Sequence, residues 1–202
     1  MKHTFSKLYI ACEWVMNLLL LNVLFIFFSF AGLVIFGISP AMTAMSSVFK
    51  LLYEGQDVRV IRTFYQIFKR EFVQSNKIGL LYGYLLGMLF LNFLFIQTLP
   101  PSVQTIAMLC LLLLTLLTGC SLLYVWPLHT SFKSTVRLLI KNSLILAFAF
   151  LPRTFFSLCA ISCIVVICLY EPVLIFLLGF SSICAITIIN SEHCLKKIQF
   201  QS

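Results

Sequence analysis

The feature that most constrains this chain is its long apolar runs, which carry no ionisable residue at mid-length. Runs such as LLLLNVLFIFFSF are continuously apolar. A transmembrane β-strand instead alternates apolar and polar residues over about ten positions, so a barrel is excluded. Lipid offers the backbone no hydrogen-bond partner, and a helix supplies its own. The expected fold class is therefore all-α, a polytopic transmembrane helical bundle forming one domain over residues 1–202. Composition agrees: 61% of the residues are hydrophobic and 10% charged, against about 25% charged in ordinary globular domains. A soluble chain of 202 residues could not hide that much apolar surface.

Breakers divide the runs. The first span is expected over 14–36, with Trp14 suited to an interface. It follows Lys2 and Lys7 but exceeds the roughly 7–15 apolar residues of a signal peptide and lacks an A-x-A site, so an uncleaved span is expected. Others are expected over 78–98, ended by LPPS, and over 103–126, stopped by Pro127. The last two, 154–170 and 172–190, flank a tight YEP turn.

Two basic segments separate these spans. In 58–76, Ile61, Phe64, Tyr65, Phe68 and Phe72 follow helical spacing, with Asp57 as a candidate N-cap. Arg59 and Arg70 lie opposite, flanked by Arg62 and Lys69. This pattern describes an amphipathic helix in the membrane interface, aromatics toward acyl chains and bases toward headgroups. A helix packed on the protein's own cytoplasmic loops is the competing reading. The second segment, 128–151, sets Lys133, Arg137 and Lys141 beside Phe132, Val136, Leu139 and Ile140, and reads as a second interfacial helix.

Basic residues then set the topology. The Lys50–Lys77 region holds six, the Lys133–Arg153 region four, and each terminus two, while QTLPPS and YEP hold none. The positive-inside rule puts the rich loops in the cytoplasm. All fourteen basic residues are cytoplasmic only if 40–54 is a sixth membrane segment, which places both termini inside a bacterial cell membrane. In this reading Ser39 caps that helix, Pro40 opens it and Gly55 closes it. It is short, about 22 Å against a core of about 30 Å, so Lys50 must snorkel. Ala41 and Ala44 give it a small face, and Gly79, Gly83 and Gly87 form a matching groove for helix packing. The groove also leaves room for a homo-oligomer. The net charge of +8 is read as this asymmetry, not as nucleic-acid binding.

Candidate chemistry is sparse. No His-Asp-Ser set, HExxH or Walker loop is present, so no enzyme activity and no cofactor is expected. The eight cysteines show no metal-ligand spacing and read as small apolar residues. His3, His129 and His193 sit at span ends and read as solvated or interfacial. Asn22, Asn92 and Thr118 could line a polar path or glue helices, and glue is the preferred reading. Without a mid-span charge, ion-coupled transport is disfavoured.

The segment LNVLFIFFSFAGLVIFGISPAMTAMSSVFKLLYEGQDVRVIRTFYQIFKREFVQSNKIG resembles the YesL family of bacterial membrane proteins, a domain of unknown function. The shared features are the small-residue segment after Gly37–Ala41, the Glu54-Gly55 turn, and the pattern of Thr63-Phe64, Phe68-Lys69 and Phe72. YVWPLHTSFKSTVRLLIKNSLILAFAFLPRT resembles the family's second half, including Lys141-Asn142 and Leu151-Pro152-Arg153, with LHTSF after Pro127 a mild departure. Family members tend to be encoded beside saccharide ABC importers. The resemblance implies a non-catalytic accessory role in carbohydrate uptake, with ABC importer subunits as partners besides the lipid bilayer. The helix at 58–76 is where a partner would dock. A small permease for a neutral solute is the alternative.

Overall fold

The structure is a computed structural model that describes residues 2–132, 135–171 and 173–199. These residues form helices α1 (Lys2–Ala31), α2 (Ile38–Tyr53), α3 (Val60–Ile96), α4 (Pro101–Ser131), α5 (Val136–Ala149), α6 (Leu151–Tyr170) and α7 (Phe180–Gln199). A π-helical turn, Ile175–Gly179, leads into α7. Five stretches are long and apolar enough to cross a bilayer: Cys12–Ala31, Val60–Ile96, Pro101–Ser131, Leu151–Tyr170 and Ile175–Leu195. Large apolar side chains stay exposed along the outer halves of α3 and α4, among them Tyr84, Phe90, Phe95, Ile106 and Leu112. An apolar surface that extensive is stable against lipid and not against water.

Helix α2 is central. It packs on α1, α3, α4 and α7, and Ala41, Ala44, Met45 and Val48 are fully enclosed. Two apolar cores flank it. One joins Leu21 and Phe25 of α1 to Met45, Phe64 and Ile188. The other joins Ile78 and Tyr82 of α3 to Tyr124, Leu128, Leu139 and Leu146.

Several expectations are corrected. α1 ends at Ala31 and not near Phe36, because Leu33 and Val34 adopt positive φ of 59° and 61°. At this turn the backbones of Gly32 and Gly37 meet so closely that a Cβ on either would collide. Ser39 does not cap α2. The cap is Gly37, without a side-chain bond, and Ser39 is buried in the first turn. Gly55 does take positive φ, 78°, and its N–H closes on Leu52 O at 3.0 Å, the usual glycine exit from a helix.

Asp57 is not an N-cap either, since α3 starts after Arg59. The expected interfacial helix and the following span are one continuous α3 of 37 residues, about 55 Å long. Its buried face centres on Val60, Phe64 and Ile67, while Ile61 and Tyr65 are exposed. Phe64 and Phe68 stack on Phe28 of α1 at centroid distances of 5.3 and 4.9 Å. Phe64 and Phe68 of the aromatic face thus pack on the protein's own helices, while Ile61 and Tyr65 of the same pattern stay exposed.

Pro127 does not stop α4, which runs through it to Ser131. The segment 128–151 is accordingly the end of α4, a break, and α5. Arg137 and Lys141 of its basic stripe are exposed; Lys133 lies outside the described residues. Cys168, Cys184 and Cys194 are buried, but Cys12, Cys110, Cys159 and Cys163 are exposed.

Internal packing of Phe64 has a measurable consequence. Phe64→Ala should lower stability in detergent by about 3–5 kcal/mol, as for a buried aromatic, and Tyr65→Ala by within about 0.5 kcal/mol. Thermal unfolding followed by circular dichroism checks this. Equal effects of the two changes would mean that the face does not pack as described.

Candidate functional site

Three groupings of polar residues join helices of the bundle. The first is the seam of α3, α4 and α5. Tyr82 and Ser121 share a short hydroxyl contact, Ser121 pairs with Ser143 at 2.7 Å, and Tyr124 pairs with Thr154 of α6 at 3.0 Å. These hydroxyls saturate one another and hold helices in register.

The second is the π-helical turn. Asn22 of α1 is fully buried. Its amide nitrogen donates to Ile175 O at 3.0 Å and Phe176 O at 2.6 Å, and its side-chain oxygen accepts from Ser181 N–H at 3.1 Å. A π turn widens the helix and disturbs the regular ladder. One carboxamide here serves three backbone groups around it.

The third place is the junction of α2, α3, α4 and α7. Lys50 does not simply snorkel: Nζ lies 2.7 Å from Glu192 Oε1 of α7 and donates to Ser131 Oγ of α4 at 2.7 Å. The two side chains are only 19% and 12% exposed. Beside them opens a polar cleft of about 320 Å³, lined by Thr43, Ser47, Arg70, Glu71, Gln74, His129 and Thr130. His129 is not solvated; its side chain is 3% exposed, with Nε2 3.8 Å from Glu71 Oε2. Neither imidazole nitrogen has a hydrogen-bond partner among the described residues. Glu71 Oε1 accepts from Arg70 Nε at 2.8 Å. Thr43 is tied to Ser75 at 2.8 Å, which fixes the wall between α2 and α3.

The residues singled out from the sequence are distributed as follows. Gly79 packs so tightly on Ser39 that a Cβ would overlap its hydroxyl, and Ala41 and Ala44 are buried in the same helix. Gly83 and Gly87 face open space. Arg59, Arg62, Lys69 and Arg70 are exposed on one side of α3, Phe64 is buried, and Phe68 and Phe72 are half-buried. Asn22, Asn92 and Thr118 are not brought together. Asn92 and Thr118 return hydrogen bonds to Met88 O and Leu114 O of their own helices.

Four residues of the junction, Lys50, Glu71, His129 and Glu192, were not singled out as a group. One signal was available for Glu71: it falls on the buried face between Ile67 and Ser75, four residues from each. Among the described residues no three His, Cys, Asp or Glu side chains gather as a metal site.

The profile of a family described as "Protein of unknown function, DUF624" matches residues 18–93. The uncharacterized protein YteU of Bacillus subtilis is 35% identical over 146 residues, which is 71% of this chain and 64% of YteU. The uncharacterized protein YesL of the same organism is 34% identical over 171 residues, 84% of this chain and 79% of YesL. The uncharacterized protein YesV is 33% identical over 141 residues, 69% and 68% respectively. The chain thus spans just under two thirds of YteU's length. No solved structure matches it.

The Lys50–Glu192 pair predicts an asymmetric mutational cycle. Lys50→Met alone should cost about 3–5 kcal/mol, because it strands a largely buried carboxylate. Lys50→Met with Glu192→Leu should recover most of that loss, since an apolar pair of similar volume replaces the ions. A double-mutant cycle on unfolding in detergent measures the coupling.

Proposed function

The chain belongs to the YesL-like DUF624 family, and from that premise we propose that it is a non-catalytic accessory protein of the bacterial cell membrane, docking an ABC importer subunit through the basic side of α3. One observation carries this reading. With Phe64 and Ile67 buried, the opposite side of the same helix is an exposed stripe of Arg59, Arg62, Lys69, Arg70 and Lys77. Among the described residues, the ion pair made by this stripe joins Arg70 to Glu71. Such a stripe complements an acidic protein surface. The choice of an importer subunit rests on the resemblance, whose members tend to be encoded beside saccharide importers.

The same stripe orients the chain. α2 has 16 residues, about 24 Å, and follows an exposed apolar turn containing Leu33 and Ile35. It packs beside the basic first half of α3, with Thr43 on Ser75 and Ser39 on Gly79. It is thus a short sixth segment at the cytoplasmic end of the bundle, beside five long spans, and returns the chain to the side on which α1 starts. All the basic loops then share one side with both termini, the cytoplasmic one.

Two experiments test these points. Arg59→Glu, Arg62→Glu and Lys69→Glu together should reduce importer subunits recovered with the tagged protein from native membranes by roughly tenfold, through like-charge repulsion at the contact. Unchanged recovery would sink the docking reading. For orientation, a cysteine replacing Lys2 in a cysteine-free background should resist an impermeant thiol reagent on intact cells. Labelling would place the N-terminus outside and overturn the six-segment topology.

A further inference from the structure

The side of α5 turned away from the bundle has no part in the docking reading, and it changes character along its length. The inner side packs on α4, with Leu139 and Leu146 in the apolar core and Ser143 on Ser121 at 2.7 Å. On the outer side Arg137 and Lys141 are exposed, and so are Leu138, Ile145 and Phe148. At 3.6 residues per turn, Arg137, Lys141, Ile145 and Phe148 fall within about 80° of one another. The face therefore begins with two cations and ends, about 16 Å further along, in apolar side chains. Leu151, Phe155 and Phe156 at the start of α6 are exposed as well and continue the apolar surface along the chain.

No acid of the protein answers these cations. α5 packs chiefly on α4 and α6, and the sequence from Phe72 to Tyr170 holds no Asp or Glu. Among the described residues, Arg137 and Lys141 take part in no ion pair. Two like charges four residues apart on a helix also repel each other. An anion shared between them removes that repulsion.

We propose that this face binds an anionic phospholipid, its phosphate between Arg137 and Lys141 and its acyl chains along Ile145 and Phe148. A guanidinium and an ammonium both donate charge-assisted hydrogen bonds to phosphate oxygens. Long basic side chains reach the headgroup while their stems lie on apolar surface. The distance along the face, about 16 Å, matches the hydrocarbon of one leaflet, half of a core of about 30 Å. The other occupants each satisfy one end alone. An acidic soluble protein or free phosphate answers the cations and leaves Ile145 and Phe148 in water. A zwitterionic lipid covers the apolar end but brings its own cation to Arg137 and Lys141.

The test uses the full chain in lipid vesicles, with Trp14→Phe, Trp126→Phe and Phe148→Trp, so that one tryptophan reports from this face. Quenching by phosphatidylglycerol brominated on its acyl chains is compared with quenching by brominated phosphatidylcholine at equal mole fraction. Each basic residue at an anionic lipid surface is worth about fivefold, so a preference of roughly tenfold or more for phosphatidylglycerol is expected. Arg137→Gln with Lys141→Gln, both at exposed positions, should bring the preference close to one. Equal quenching by the two lipids would overturn the proposal. So would a preference that survives the double change, or no quenching by either lipid, which would mean that protein covers the face. A measurement free of the tryptophan replacements is mass spectrometry of the lipids that the chain retains in detergent. Phosphatidylglycerol should be enriched on the unaltered chain and not on the Arg137→Gln, Lys141→Gln variant; equal retention by the two would also overturn the proposal. Arg59, Arg62 and Lys69 are unchanged throughout, so the result stands apart from that of the docking reading.

Discussion

Every helix of this bundle touches α2 directly or through one neighbour. α1, α3, α4 and α7 pack on it, α5 reaches it through α4, and α6 through α7. Close approach is the condition for this arrangement. Ala41 and Ala44 are fully enclosed, and Gly79 leaves the space that the Ser39 hydroxyl occupies. In lipid, helices gain little from apolar burial, so association depends on such close backbone contact and on interhelical hydrogen bonds. A helix too polar and too short to serve as an ordinary span thus becomes the piece on which the longer spans are assembled.

The polar groups follow from the same arrangement. Where α2 draws its neighbours in, hydroxyls and charges meet: Thr43 with Ser75, Ser46 with the Cys184 sulfur, Lys50 with Glu192 and Ser131. Away from α2 the outer halves of α3 and α4 carry apolar side chains exposed to lipid, and their threonines and asparagine bond back to their own helices. The bundle is thus polar on the inside near one end and apolar on the outside near the other. His129 breaks this pairing rule, as does Ser29 near the end of α1.

The all-helical class was legible because apolar runs of that length have one stable form in lipid. The exit of α2 was legible in Gly55, whose φ of 78° suits few other residues. Helix continuity was harder. Basic residues at Arg59–Lys77 looked like an interfacial segment, but nothing in that stretch breaks a helix, so α3 continues. Pro127 looked like a stop, yet tertiary packing buries it inside α4. The aromatic pattern around Phe64 was visible, while its partner, Phe28, depends on how α1 crosses α3. The junction was least legible. Lys50 and Glu192 belong to the second and last helices, and only the fold reveals them as a pair.

The three hydrogen bonds of Asn22 bear on the order in which the chain is made. The side chain belongs to the first helix, and its partners, Ile175, Phe176 and Ser181, belong to the last. A ribosome feeding helices into the membrane one at a time delivers this amide long before the groups it pairs with. Until then it sits in a newly inserted helix with no native partner, where a loose helix or a membrane chaperone can engage it. Its capture by the final span marks the moment the assembly closes. Chains cut short before Ile175 would lack all three partners of that carboxamide, and chains cut between Phe176 and Ser181 would leave only its oxygen unpaired.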